Sequence, residues 1–418
     1  MALTDLPDWL DEQSRPPTAW FVKRLQANDT LAAGSHQAGP YLPKDFLFAV
    51  YPQLRNVESK NPRIEIDIYI DSQGDHRRVR AIWYNNRHHG GTRNETRITG
   101  FGGGRSDLLD PESTGAVAVL AFDMSDQPAP ACHVWVCRDD TECDLVEAVV
   151  GRVDPGTPVV WATEDTTDPD RFRLRTSRTK TPAGNPDKKA SDADEATDGE
   201  APSIETLVRR SAVLQPLASQ SVDIRLLRRH ERFIELFRQS EQDVYAARAR
   251  NGFSDIASLL ETAERIRLDR QATGDDGVAL QLRQLFEEEG LTEGAAFSFR
   301  PVVGSERTPD FVFPAIGSNY AAVNGGTLLL VEPAIRDRWK AAVEGIGAPV
   351  VHVLTLQRGA SNAQFDEMTA AGIILVVPAR LHDTYPTEVR SQLVTLESFI
   401  ADVRHLQQPS FGGSSPQL

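Results

Sequence analysis

The chain of 418 residues lacks long apolar stretches. Its longest apolar runs, near Ala116–Phe122 and Gly372–Val377, have the length of strands, whereas a membrane-spanning helix needs about 20 apolar residues. The N-terminus is acidic and interrupted by Pro7, unlike a secretory signal peptide. The sequence therefore predicts a cytoplasmic protein without a membrane partner.

Cysteine is scarce, and the three present are Cys132, Cys137 and Cys143. A disulfide framework normally uses an even number of cysteines, and a structural zinc site usually shows paired CxxC motifs or nearby histidines. The pattern therefore argues against a disulfide-stapled domain and against a zinc domain. We expect these residues to be reduced thiols.

An excess of positive charge is also lacking, because the formal net charge is −15. That sum argues at first against a nucleic-acid partner, but the distribution of charge matters more than its total. Arg and Lys concentrate in Arg77–Arg105 and Arg225–Arg232, whereas much of the acid lies near Asp187–Glu205. Local basic patches of this kind leave DNA binding open.

The hydropathy pattern divides the chain into regions. RIEIDIYID (Arg63–Asp71) alternates as a half-buried strand does, and further strand-like runs follow up to Trp161. Beyond a segment rich in Thr, Pro, Asp and Ala, helical spacing appears in Val222–Gln239 and alternates with strands such as Val350–Leu356. We therefore expect a multidomain protein with an N-terminal extension (1–16), an all-β pseudobarrel or sandwich (17–172), a flexible linker (173–202), an α/β domain with a mixed sheet (203–406) and a tail (407–418).

Two stretches in the α/β region suggest chemistry: TPDFVFP (Thr308–Pro314) and TLLLVEPAIRDRW (Thr327–Trp339). They resemble the two strands of PD-(D/E)-x-K nucleases. In that class carboxylates hold Mg²⁺, and a lysine steadies the attacking water and the scissile phosphate. Asp310 follows a proline as this pattern requires, but Glu332 stands where the lysine is expected.

Several longer motifs, in the same order and at similar spacings, resemble the EcoRII restriction endonuclease family. In the N-terminal half they are WFVKRLQANDTLAAGSHQAGPY (Trp20–Tyr41) and VRAIWYNNRHHGGTRNETRITGFGGG (Val79–Gly104). In the C-terminal half they are TPDFVFP, RDRW, VLTLQRGASNAQFDEM (Val353–Met368) and LVVPARLHDTYP (Leu375–Pro386). The resemblance implies a DNA-binding pseudobarrel, a restriction-endonuclease-like domain, Mg²⁺ as cofactor, and a homodimer acting on double-stranded DNA at a CC(A/T)GG-type site.

The loop HHGGTRNETR (His88–Arg97) has the side chains for reading bases. Arginine pairs with guanine, asparagine with adenine, and glutamate accepts from cytosine. His36 and Tyr41, in the motif SHQAGPY, match a second DNA-facing loop of the family, and Lys23 and Arg24 are candidate phosphate contacts. Within the His88–Arg97 loop, Gly91 and Thr96 stand where the resemblance leads us to expect lysines. The predicted DNA-binding residues of this region are Lys23, Arg24, His36, Tyr41, Arg93, Asn94, Glu95 and Arg97. The alternative is an ordinary solvated surface loop.

The resemblance assigns the catalytic positions one by one. Asp310 is kept, the lysine position falls on Glu332, and the helix glutamate position falls on Ala279. The remaining predicted site residues are Glu344 as the last carboxylate, Tyr320 as a matching tyrosine, and Arg336 or Lys340 as substitute cations. Asp310 and Glu332 are the expected metal ligands, while Tyr320 is alternatively an ordinary core aromatic.

The run Arg336–Arg338, with Asp337 between two arginines, suits the reading of G·C pairs in the major groove. The alternative is a charge cluster at a helix start. The whole pattern predicts a sequence-specific DNA-binding protein of restriction or phage defence whose cleavage is lost or weakened. The alternatives are an active Mg²⁺-dependent endonuclease at a CC(A/T)GG-like site, with a DNA methyltransferase encoded in the same locus, and a nuclease for modified DNA.

Overall fold

The structure is a computed structural model, and the chain forms two compact units. The first comprises Met1–Glu200 with Arg358–Asn362, and the second comprises Ala201–Gln357 with Ala363–Leu418. The described residues are 6–15, 17–32, 39–102, 106–125, 130–162, 202–215, 219–253, 255–301, 309–315, 326–336, 339–340 and 350–406. The predicted linker, except for its last residue, and the predicted tail lie outside these ranges.

The first unit is built on an eight-stranded sheet with the strand order β2-β5-β4-β3-β7-β6-β1-β8. Its strands are β1 (Thr18–Arg24), β2 (Tyr41–Leu42), β3 (Arg63–Ile70), β4 (Asp75–Tyr84), β5 (Glu95–Thr99), β6 (Val117–Asp123), β7 (Ala131–Val136) and β8 (Val159–Ala162). All neighbours pair antiparallel except β3 and β7, which are parallel. The strand-rich region expected from the alternating sequence is therefore present.

This sheet is buried on both faces, which explains the unbroken apolar run in β6. Leu120 and Phe122 of β6 join one core, whereas Val117 and Val119 join the other. Helix α2 (Lys44–Val50) packs in the first core, and helices α1 (Leu6–Gln13) and α3 (Asp140–Val150) pack in the second. All three cysteines are buried with free thiols.

The helices of this unit differ from the all-β expectation. Helix α2 has seven residues and α3 has eleven, too few for the 3.6-residue period to be distinctive beside long strands. Helix α1 lies within the expected N-terminal extension, yet its Trp9 is buried and donates to Asp71 at 2.7 Å. The described part of the extension is thus packed onto the sheet.

The second unit contains a five-stranded mixed sheet with the order β13-β12-β11-β10-β9. Its strands are β9 (Ser298–Phe299), β10 (Phe311–Phe313), β11 (Thr327–Val331), β12 (Val350–Leu354) and β13 (Ile373–Val376). Strands β9 to β11 pair antiparallel, and β11 to β13 pair parallel. The predicted mixed sheet is confirmed.

Six described helices accompany this sheet. They are α4 (Ile204–Leu214), α5 (Val222–Asn251), α6 (Ile256–Glu288), α7 (Asn362–Ala370), α8 (Thr387–Arg390) and α9 (Leu396–Leu406). An aromatic core joins α6 to β10, with the ring of Phe286 centred 5.0 Å from that of Phe311 and 5.4 Å from that of Phe313. Within the described ranges, none of the helices is long and apolar enough to cross a membrane.

The basic run Arg225–Arg232 is partly neutralised inside the fold. Arg225 and Arg229 are buried and pair with Glu288 at 3.1 and 2.8 Å, which ties α5 to α6. Buried ion pairs of this kind serve packing, because their charges are satisfied internally. These two arginines therefore do not add to an exposed basic patch.

His352 of β12 is expected to make stability depend on pH. Burial lowers its pKa to about 4, outweighing Asp402, which raises it, and its ring packs against Phe399 at 4.9 Å. Between pH 6.5 and about pH 4, this histidine binds a proton in the unfolded chain but not in the folded chain. The free energy of unfolding therefore decreases by up to about 3 kcal/mol as the pH is lowered through this range. His352→Leu is expected to flatten that decline, as measured by denaturant titration between pH 7 and 4.5.

The matched control is His405→Leu, since His405 lies in α9 and is exposed. It replaces a histidine that is not buried, so it separates the effect of burial from the loss of an imidazole. Equal slopes for the His352 variant and the unmodified protein would contradict a neutral buried imidazole.

Candidate functional site

Asp310 lies just before β10, where neighbouring elements hold its carboxylate. Oδ2 accepts from the backbone N–H of Val331 at 2.8 Å, and Oδ1 accepts from Nε of Arg300 at 3.3 Å. Its side chain is 14% exposed. Asp310 is thus a fixed, largely buried acceptor between the end of β9 and the end of β11.

Glu332 follows β11 directly and is almost completely buried, at 2% exposure. Its backbone N–H donates to the carbonyl of Leu354 at 2.9 Å, continuing the β11–β12 ladder. Its Oε2 accepts from the backbone N–H of Arg336 at 2.8 Å, four residues later. The carboxylate therefore closes the turn after the strand, at the position where the sequence resemblance predicts a lysine.

Ala279 lies in α6 with no exposed surface. It belongs to the apolar core that includes Leu282, Phe313 and Phe399. This surrounding is unsuited to a charge, because an uncompensated ion in such a core is strongly destabilising. The residue that replaces the expected helix glutamate is therefore a packing residue.

Two residues not singled out from the sequence contribute to the site: Arg300 at the end of β9 and Asp276, one turn before Ala279 in α6. Arg300 forms ion pairs with Asp276 and Asp310, and its guanidinium carbon lies 5.3 Å from the centre of the Phe299 ring. Neither residue belongs to a motif singled out in the sequence, so no pattern pointed to this pairing. The fold thus brings a cation to Asp310 from the side opposite β11 in the sheet order.

Of the substitute cations expected after β11, Lys340 has an acidic partner. Lys340 pairs with Glu367 at 2.7 Å, and its ammonium lies 5.6 Å from the centre of the Trp339 ring. Tyr320, Asp337, Arg338 and Glu344 lie outside the described residues. Their catalytic and base-reading roles, and those of Arg336 and Lys340, stay predictions.

A magnesium site among the described residues would need a suitable set of oxygen ligands. Mg²⁺ requires near-octahedral oxygen coordination and usually takes one or two carboxylates plus waters and phosphate. Across the described ranges, no group of three or more His, Cys, Asp or Glu side chains is placed to hold a metal ion. Asp310 is hydrogen-bonded through both oxygens, and Glu332 is tied to the turn behind it. Among the described residues alone, this arrangement does not supply the ligand set of the ion.

The loop before β5 presents Arg93 in a held conformation. Its guanidinium carbon lies 3.6 Å from the centre of the Tyr84 ring, and it pairs with Glu95 at 2.6 Å. Asn94 accepts from the indole N–H of Trp83 at 3.0 Å. These contacts fix three of the predicted base-reading side chains next to one another.

Arg97 links this loop to the segment before β2. Its Nη1 donates to the carbonyls of Asn28 and Gly39 at 3.1 and 3.0 Å, and it also lies 3.5 Å from Glu95. Tyr41, paired with Arg97 across the β2–β5 ladder, is 41% exposed. Burial of the hydroxyl, aided by Glu95, raises the pKa of Tyr41. The predicted DNA-facing loops are therefore joined, although His36 lies outside the described residues.

Lys23 and Arg24 have internal partners. Lys23 pairs with Asp29 at 2.7 Å, and Arg24 pairs with Glu147 at 2.9 Å while donating to the carbonyl of Val153. Both side chains are buried. Their surroundings give them structural roles, and phosphate contact by either residue stays a prediction.

Comparisons with known proteins cover both units. A family model described as "Restriction endonuclease EcoRII, N-terminal" matches residues 14–165, and one described as "EcoRII C terminal" matches residues 237–400. The Type II restriction enzyme EcoRII of Escherichia coli is 30% identical over 414 residues, covering 97% of this chain and 99% of that protein.

Solved structures are more distantly similar. The restriction endonuclease PspGI in complex with substrate DNA matches with a TM-score of 0.41 and 13% identity, over 49% of this chain and 93% of that one. The B3 domain of UbaLAI restriction endonuclease with cognate DNA matches with a TM-score of 0.27 and 18% identity, over 38% of this chain and 98% of that one.

Proposed function

Because the chain belongs to the EcoRII family of restriction endonucleases, we propose that it binds double-stranded DNA sequence-specifically and that its DNA cleavage is lost or weakened. Its role is in restriction and defence against foreign DNA such as phage, as a homodimer acting at a CC(A/T)GG-like site. The first unit acts as a DNA-binding pseudobarrel, and the second is a PD-(D/E)-x-K domain with an altered site.

The observation that carries the proposed loss of cleavage is the burial and hydrogen bonding of Glu332. A glutamate with 2% exposure, whose side chain accepts from the backbone N–H of Arg336, stands where the resemblance predicts the phosphate-steadying cation. A carboxylate cannot donate to a phosphate oxygen, and losing one stabilising group in a polar transition state costs about 3–4 kcal/mol. Ala279 adds to the deficit, since a methyl group supplies no carboxylate.

DNA recognition is supported by the contacts of the loop before β5. Arg93 and Glu95 are paired with each other in the protein alone, so DNA binding exchanges this ion pair for contacts with base edges. The exchange is favoured because Tyr84 already holds the guanidinium, which reduces the loss of side-chain entropy on binding. This role for the loop follows the family resemblance.

Arg93→Ala is expected to weaken specific DNA binding by about tenfold or more, because a bidentate arginine–guanine contact contributes about 1–3 kcal/mol. The measurement is a gel shift on DNA carrying CC(A/T)GG at fixed salt. Arg87→Ala is the matched control, since Arg87 is an exposed arginine of the preceding 3₁₀ turn. An equal loss in both variants would indicate a general charge effect and contradict base reading by Arg93.

The test of the whole proposal is incubation of a plasmid bearing several CC(A/T)GG copies with Mg²⁺ and then Mn²⁺, alongside a gel shift on the same DNA. The expected result is a specific shift with intact DNA. Discrete metal-dependent fragments that disappear in Asp310→Ala would instead establish an active endonuclease. Cleavage restricted to modified DNA would identify the third possibility.

A further inference from the structure

Arg300 connects two carboxylates through one edge of its guanidinium. Nε donates to Oδ1 of Asp310 at 3.3 Å, and Nη2 donates to Oδ1 of Asp276. These acids come from the start of β10 and from α6, so the arginine is the contact that the two carboxylates share.

The conformation of Arg300 is built into the strand pair. Its backbone N–H donates to the carbonyl of Asp310 at 2.9 Å, and its φ of 43° lies in the left-handed region that side chains other than glycine rarely adopt. The Phe299 ring packs against the guanidinium. A disfavoured backbone conformation persists where surrounding contacts hold it, and here those contacts include both carboxylates.

We propose that Arg300 is a built-in counter-cation for Asp276 and Asp310 and that it excludes a divalent metal ion from this pair of carboxylates. The inference rests on the proposed function, in which Asp310 no longer serves metal-dependent cleavage. It assigns a cause beyond Glu332 and Ala279: the oxygen of Asp310 that a metal would bind is already bonded to a fixed positive charge.

Electrostatics explains why the arginine and the ion exclude each other. A divalent ion at Oδ1 of Asp310 would lie within a few ångströms of the guanidinium, and the repulsion between the two cations would offset much of the attraction to the carboxylates. Arginine does not relieve this repulsion by losing its proton. Although burial lowers the pKa of Arg300, Asp276 and Asp310 outweigh that effect and raise it.

The test is Mn²⁺ binding to the full chain without DNA, measured by titration calorimetry and by the electron paramagnetic resonance signal of free Mn²⁺. The unmodified protein is expected to show no Mn²⁺ binding that depends on Asp310, whereas Arg300→Gln is expected to bind Mn²⁺ about tenfold or more tightly than the detection limit, because the competing charge is gone. The gain is expected to vanish in the double variant Arg300→Gln/Asp310→Asn, which removes the central carboxylate.

Arg283→Gln is the matched control. Arg283 also packs against Phe299, with its guanidinium carbon 5.1 Å from the ring centre and a similar exposure of 42%, but it pairs with Glu293. It is expected to leave Mn²⁺ binding unchanged. Circular dichroism checks the fold, and Arg300→Met is the second variant if Arg300→Gln does not fold.

Two outcomes would overturn the inference. One is Mn²⁺ binding by the unmodified protein that is lost in Asp310→Asn, since the site would then accept metal beside the arginine. The other is a folded Arg300 variant that gains no affinity. Both are independent of the gel shift. A failure of the proposed DNA binding is therefore distinguishable from a failure of the proposed metal exclusion.

Discussion

Ala279→Glu is expected to destabilise the second unit by about 3–5 kcal/mol and to leave DNA uncleaved, because it places an unpaired carboxylate in an apolar core. The resemblance predicts a glutamate at this position, so the sequence by itself suggests that the substitution would repair the site. In the structure residue 279 has no exposed surface and packs within the core of Phe286 and Leu282. The folded state would have to bury the charge or hold a proton on it.

The measurement is hydrogen exchange of peptides from α6 and β11, since a two-unit chain need not unfold in one step. Ala401→Glu is the matched control, because residue 401 is an exposed alanine within α9. Its effect is expected to stay within about 0.5 kcal/mol. Protection of α6 equal to that of the unmodified protein would mean that a side chain at position 279 reaches solvent.

Asp223→Ala is expected to destabilise the second unit by about 3 kcal/mol or more, because it leaves several buried backbone N–H donors without an acceptor. Asp223 is 1% exposed in the first turn of α5. Its carboxylate accepts from the backbone N–H groups of Ala379, Leu396 and Glu397 at 2.9, 3.1 and 3.0 Å. One side chain thus joins α5 to the start of α9 and to the turn after β13.

The destabilisation is expected to be local. Hydrogen exchange is expected to become faster in α9 and β13 and to change less in the first unit. Asp223→Asn is the informative partner variant. It keeps the shape and one acceptor oxygen, so a smaller loss is expected, because one side-chain oxygen still accepts from these N–H groups. Equal losses for both variants would show that negative charge, and not the number of acceptors, stabilises the junction.

The sequence predicted the larger features because they rest on local patterns. Alternation in RIEIDIYID indicated β3, and the apolar runs TLLLV and GIILVV indicated two strands of the mixed sheet. The short helices α2 and α3 were missed, since few residues lie on their apolar faces. Among the candidate base-reading residues, neither the pairing of Arg93 with Glu95 nor the bonds of Arg97 to Asn28 and Gly39 was predicted from the sequence.

By itself, the sequence determined the family, the two-unit organisation and the position of Asp310 beside a strand, and it predicted that Glu332 and Ala279 stand in place of a lysine and a glutamate. Only the tertiary structure decided that Ala279 is a core residue and that Arg300 lies between Asp276 and Asp310. The reason is physical. Arg300 is 24 residues from one partner and 10 from the other. Such contacts depend on the register of β9 against β10 and on the packing of α6, which residue types alone do not specify.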